Sequence, residues 1–337
     1  MPQSRILYLD YLRLFATLAV IMLHISCCVL DCSSTKISYT IGLAYDSICR
    51  WCVPIFVMIS GAIFLNSEKQ ITVSSLYKKY ILRLLVALVF WIAIYYYVFD
   101  PTLQAIKNSP IKIINIIDVL KNPFANPIHL WYLPMIIGLY IVLPILKLIV
   151  SNTVTTKYFL TLWFAWSLIT SIPNSFIFQG ISYLKMEMVV GYSGYMILGY
   201  KLSQKDIHIK ISYLVTTFLL VSFLVFFAAA NVSNIENVFQ YLNPLVIIMS
   251  TIFFCLIKNI IIEYRVGGSR IIELIRNDLF GVYLIHIFFI RLFFRPLFYG
   301  QIPVLLSIPL FTIIVFFASL LTSKAIRKIP IIRYICS

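Results

Sequence analysis

The chain has 337 residues, 61% of them hydrophobic and 12% charged, with a mean hydropathy of +0.97. That balance excludes an ordinary soluble domain, in which about a quarter of the residues are charged, and marks an integral membrane protein. The net charge of +15 would suggest nucleic acid in a soluble chain, but the basic residues cluster between apolar runs, where they read as topology signals rather than a nucleic-acid footprint.

Apolar segments of spanning length are expected near 6–30, 44–65, 76–99, 129–150, 157–173, 181–200, 209–230, 240–262, 279–297 and 302–323. The first is too long for a signal-peptide core and contains Arg13, so it reads as a retained helix. Segment 100–128 carries Pro101, Pro110, Pro123 and Pro127 around an amphipathic stretch from Ile111 to Leu120, which predicts a surface or re-entrant helix. The expected fold is all-α: a polytopic bundle of about ten transmembrane helices forming one membrane domain over 1–337. With the N-terminus inside, seventeen lysines and arginines fall on the inner side and four on the outer. Both termini are therefore expected in the cytoplasm.

The first apolar segment, "LDYLRLFATLAVIMLHI", holds three groups that lipid penalises. At about 100° per residue, Arg13 and His24 share one helix face and lie about 16 Å apart along the axis. Asp10, three residues before Arg13, joins the same stripe. Such residues face a bundle interior or an aqueous pocket. Blander readings stay open: Asp10 as the ion-pair partner of Arg13, Arg13 snorkelling to headgroups, His24 as a packed, hydrogen-bonded side chain.

Further along, Asp46 and Arg50 are spaced as a structural i, i+4 ion pair. Lys78, Lys79 and Arg83 place cations on the expected cytoplasmic side with Arg13, where an anionic ligand would meet them; Lys78 and Lys79 also fit ordinary positive-inside anchoring. Tyr95 to Tyr97, with Trp163 and Trp166, suggest interfacial belts. Lys185 and Glu187 fall on different faces of one segment. Tyr283 stands one turn before His286, with Arg291 and Arg295 beyond. Cys49-Arg-Trp-Cys52 lacks a second Cys/His pair, so no metal site is expected, while a disulfide from Cys27, Cys28 or Cys32 to the second helix stays open.

Four stretches in order along the chain carry a resemblance. Asp10-x-x-Arg13 with His24 resembles the first-helix signature of the membrane acyltransferase-3 family. "VPIFVMISGAIFL" (Val53 to Leu65), "HLWYLPMIIGLYIVLPIL" (His129 to Leu146) and "GVYLIHIFF" (Gly281 to Phe289) are similar to its second-helix, fourth-helix and late tyrosine-histidine segments. The likeness is nearest to the short, stand-alone branch that O-acetylates bacterial surface polysaccharides. One departure is Lys79-Tyr-Ile-Leu-Arg83, where the family usually has a spaced pair of arginines; lysine meets a phosphate without the bidentate fork. Acidic residues that longer relatives place on the fourth helix are missing, and His129 stands where one would look.

The resemblance implies transfer of an acyl group, acetyl in the first instance, from acyl-CoA to a hydroxyl of a cell-surface glycan or its lipid-linked precursor, in a multi-pass protein of the bacterial cytoplasmic membrane. Acetyl-CoA or another acyl-CoA would be a co-substrate and not a resident cofactor, and the partners would be membrane lipid, acyl-CoA and the glycan. Arg13, Lys78, Lys79 and Arg83 would bind the donor, and His24 would act as general base, with an acyl-histidine intermediate as the variant. His286 would complete the site or guide the acceptor, and Asp10, Tyr283 and His129 are further candidates. The rival expectation is an exporter of a polysaccharide or lipid-linked sugar, since intramembrane charge also marks transport pathways.

Overall fold

In hydrocarbon a backbone must satisfy its own hydrogen bonds, which leaves helices as the economical solution for sequences of this kind. The computed structural model describes residues 7–66, 71–99, 128–171, 186, 190–205, 209–264, 266–268, 270–293 and 302–329, and among them there are helices and no strands. The amphipathic stretch 111–120, Lys185, Glu187 and Arg295 lie outside the described residues. The principal helices are α1 (Leu7–Cys32), α2 (Lys36–Cys49), α3 (Cys52–Phe64), α4 (Val73–Val98), α5 (Tyr132–Ile141) and α6 (Leu143–Ser151). They continue as α7 (Thr153–Thr170), α8 (Ser193–Gln204), α9 (Ile211–Ala230), α10 (Pro244–Glu263), α11 (Leu279–Phe293) and α12 (Val304–Arg327).

Six described helices are long and apolar enough to cross a membrane, with α2 and α3 read together as one span, Lys36–Phe64; the bent pair α5–α6 raises the number to seven. The pair is bent by 57° at the start of α6, where Pro144 removes a backbone donor. Of the remaining expected segments, 157–173 coincides with α7 and 279–297 with the fifteen-residue α11. Segment 181–200 lies mostly outside the described residues, which pick it up at α8.

α1 is the hub. It packs against α2, α3, α10, α11 and α12, which bury about half of its apolar stretch. That enclosure keeps its polar stripe inside the bundle. α3 and α8 make the most extensive helix pair, because Gly61 and Gly199 let the two backbones meet. A Cβ at Gly61 would overlap the Met196 carbonyl, and one at Gly199 the Met58 carbonyl. Such close crossings are the usual mode of association where lipid removes the hydrophobic drive. Gly61→Ala is therefore expected to cost about 1–3 kcal/mol, read as a lowered Tm in detergent; an unchanged Tm would contradict this packing.

Four residues expected at interfaces, Tyr95, Tyr96, Trp163 and Trp166, are core residues instead, while Tyr97 is exposed. Trp163, 3% exposed, packs its edge on Tyr195 with ring centroids 4.9 Å apart, and Trp166 is also buried. Tyr95 is fully buried. Each carries enough apolar area to be worth more in the bundle than at its rim. Lys258, counted above among the topology charges, is 3% exposed and donates to the carbonyls of Leu202 (2.9 Å), Ser203 (3.0 Å) and Lys205 (2.6 Å). It caps the C-terminal end of α8, whose last carbonyls have no helical partner. Among the described residues no disulfide joins Cys27, Cys28 or Cys32 to the cysteines of the second helix.

Candidate active site

Three of the chain's four histidines converge. α1 delivers His24, α11 delivers His286, and the short turn Ile128–Trp131 ahead of α5 delivers His129. Ring centroids stand 5.3 Å apart for His24 and His286, 5.2 Å for His129 and His286, and 6.4 Å for His24 and His129. His129 and His286 are buried, while His24 is half-buried.

The hydrogen bonds assign the tautomers. His286 Nδ1 lies 2.6 Å from the Tyr283 carbonyl; a carbonyl only accepts, so Nδ1 carries the proton and Nε2 of the neutral ring holds a lone pair. That Nε2 is buried and has no hydrogen-bond partner among the described residues. His129 Nε2 donates to the Leu284 carbonyl at 3.3 Å, which leaves its Nδ1 as a second buried nitrogen without a partner among the described residues. Buried polar atoms are nearly always satisfied, so two unpartnered imidazole nitrogens side by side call for an explanation, a catalytic role among them. Two tyrosines fix this arrangement. Tyr95 donates to the same Leu284 carbonyl at 2.9 Å, and Tyr283 donates to the His129 carbonyl at 2.5 Å. The tie from Tyr283 binds the α5 turn to α11, so His129 and His286 hold register with each other.

About 16 Å down α1 from His24, Arg13 lines a cavity of about 510 Å³. Arg83, Arg276 and Arg327 line it too, from α4, from the turn before α11 and from the end of α12. Phe56, Tyr132 and Tyr283 form its wall towards the histidines, with Phe56–Tyr132 centroids at 6.0 Å and Tyr132–Tyr283 at 5.6 Å. Tyr283 also stands 5.9 Å from both His129 and His286. One aromatic residue thus borders both the cation-lined cavity and the histidine cluster. Arg13 pairs with Asp10 at 3.2 Å, as its spacing suggested, yet still lines the cavity, so the ion pair and the pocket role coexist.

Of the residues expected to bind an anion, Arg13 and Arg83 line the cavity, whereas Lys78 and Lys79 are exposed and do not. A π-helical turn covers Leu76–Ile81, and the face that meets the cavity carries Tyr80 and Arg83, three residues apart. The lysines point elsewhere and fit anchoring at the membrane surface. Arg276 and Arg327, two of the seventeen inner-side cations counted from the sequence, line the cavity, and Tyr95, expected in a belt, packs on His129. Asp46 and Arg50 form the expected ion pair, and Arg50 also lies over the Phe239 ring at 3.8 Å.

A cation-lined cavity lies beside the imidazole cluster. No curated protein and no solved structure gives a significant match. The family model described as an acyltransferase domain matches residues 6–326, nearly the whole chain. Arg13, His24, Arg83, His129, Tyr283 and His286 all fall within the matched span, and the chain belongs to the membrane acyltransferase-3 family.

Proposed function

We propose that this membrane acyltransferase is an O-acetyltransferase that uses acetyl-CoA and acylates a hydroxyl of a cell-surface polysaccharide or its lipid-linked precursor, in the cytoplasmic membrane of a bacterium. The observation that carries the reading is the adjacency of a four-arginine cavity and a three-histidine cluster, separated by one aromatic layer. The arginine end faces the cytosol, where acyl-CoA is found and where the excess of lysine and arginine lies. The phosphates sit among the guanidiniums, and the narrow thioester arm passes Phe56, Tyr132 and Tyr283 towards the histidines.

A sugar hydroxyl is a poor nucleophile until its proton is taken by a positioned base. His24, the half-buried member of the cluster, receives that proton as the hydroxyl oxygen attacks the thioester carbonyl carbon. The carbon–sulfur bond breaks, and the imidazolium returns the proton to the departing thiolate, so the products are an ester and a free thiol. His286, with its lone pair on Nε2, supports His24, and His129 and Tyr95 fix the framework around them.

The direct test supplies radiolabelled acetyl-CoA and the host's extracted glycans to the purified chain in lipid vesicles. Label entering glycan only in the presence of the protein supports the reading. Movement of glycan across the vesicle membrane without CoA, and with no label incorporated, would replace it with an exporter.

A further inference from the structure

We infer that Trp131, Tyr192 and Tyr241 form the acceptor subsite, holding one uncharged sugar ring against the histidine cluster from the end of the bundle opposite the arginine cavity. The inference rests on the glycan-transferase reading above and adds to it where the acceptor sits and which residues hold it.

Each of the three stands in a turn that leads into a helix: Trp131 before α5, Tyr192 before α8 and Tyr241 three residues before α10. Both α8 and α10 finish beside the start of α1. Lys258, late in α10, donates to the last carbonyls of α8, and its Nζ lies 5.6 Å from the centroid of the Tyr8 ring. At 1.5 Å per residue, the first residues of α8 and α10 are therefore about 18 to 21 Å away, at the end towards which α1 carries His24.

There the rings close on one another. Trp131 and Tyr241 stack with centroids 5.8 Å apart and planes at 22°, and Tyr192 lies 5.9 Å from Trp131. Tyr195, fully buried, fixes the backbone of this group by donating from its hydroxyl to the Tyr241 carbonyl. Two links join the rings to the histidines. Trp131 shares the turn Ile128–Trp131 with His129, and Arg50, held over the Phe239 ring, stands within electrostatic reach of both His24 and Tyr241.

The chemistry of the group decides the class of ligand. A lipid-facing belt turns its rings out of the bundle, whereas these three are half-buried and pack against the main core. The hydroxyls of Tyr192 and Tyr241 make no hydrogen bond among the described residues. Aromatic faces beside free hydroxyls match a sugar, whose C–H face lies on a ring while its hydroxyls bond the phenols. A lipid tail would leave those hydroxyls unused. A phosphate would need a net cation, but the charges within reach of Tyr241, Asp46 and Arg50, cancel as an ion pair.

The test uses the full-length chain in detergent, acetyl-CoA and a tritium-labelled oligosaccharide cut from the host's extracted surface glycan. Tyr192→Phe with Tyr241→Phe keeps both rings and removes both hydroxyls. This double variant is expected to raise KM for the oligosaccharide about tenfold, the worth of two hydrogen bonds, with KM for acetyl-CoA unchanged. Trp131→Leu is expected to show the same split, and Trp131→Phe, which restores an aromatic face, to recover most of the loss. An unchanged oligosaccharide KM in the double variant, or an equal rise for both substrates, would overturn the subsite. Equilibrium binding of the oligosaccharide without CoA separates this inference from the transferase reading. A wild-type protein that transfers no acetyl, yet binds the oligosaccharide more tightly than the double variant does, sinks the transferase reading and leaves the subsite standing. Equal binding by the two proteins, or none by a wild type that also transfers nothing, overturns the subsite.

Discussion

His24→Ala is expected to lower the rate of acetyl transfer by 10²- to 10⁴-fold, the usual span for removing a general base, while the protein still inserts and purifies as wild type. His286→Ala should fall within the same span, because its ring stands 5.3 Å from His24 and its bare Nε2 belongs to the same cluster. The informative variant is the double one. Residues that act as a unit are strongly non-additive, so His24→Ala with His286→Ala should lose little more than the worse single variant. Losses that multiply would mean independent roles, and undiminished transfer by His24→Ala would remove it as the base.

Asp46→Ala is expected to cost about 3–5 kcal/mol, the range for stranding one partner of a buried ion pair. Asp46 is 1% exposed and the Arg50 side chain 12%, so the remaining guanidinium would lie in the bundle with the Phe239 ring at 3.8 Å as its main compensation. The loss should appear as a large fall in Tm in detergent and as lower yield from membranes. Replacing both residues by leucine or methionine should recover most of it, because the penalty belongs to the unpaired charge and not to the absence of the pair. A single variant with wild-type Tm would show that water or lipid headgroups reach Arg50.

Much of the site was legible where one helix holds it. Asp10, Arg13 and His24 share a stripe on α1, and helical periodicity alone orders them and sets their spacing. Asp46 with Arg50 and Tyr283 with His286 were legible for the same reason. The convergence of His24, His129 and His286 was not, because it depends on three helices meeting, and periodicity within a segment carries no information about its neighbours.

Arg276 and Arg327 were hidden by a rule that worked too well. A basic residue at a helix end satisfies the topology signal, and nothing local separates an anchoring arginine from one turned into a cavity. Asp278 is the local clue, an acidic residue two positions after Arg276 in a chain with only twelve acidic residues. Tyr95 was misplaced by the same logic: a tyrosine near a helix end reads as belt, but this one is buried and donates to the Leu284 carbonyl of α11. Gly61 was quoted within a family-like segment, yet its role in the α3–α8 crossing needed the partner helix and Gly199.

The central claim is that the arginine cavity and the histidine cluster are two ends of one donor site. Photocrosslinking tests it most directly, with a CoA analogue bearing a photoreactive group on sulfur, irradiated on the purified chain and mapped by mass spectrometry. Adducts on Tyr132, on Tyr283 to His286 or near His24, all suppressed by excess acetyl-CoA, are the predicted result. Adducts confined to the exposed Lys78–Lys79 surface or to the outer faces of α9 and α12, with none beyond the aromatic layer, would contradict it.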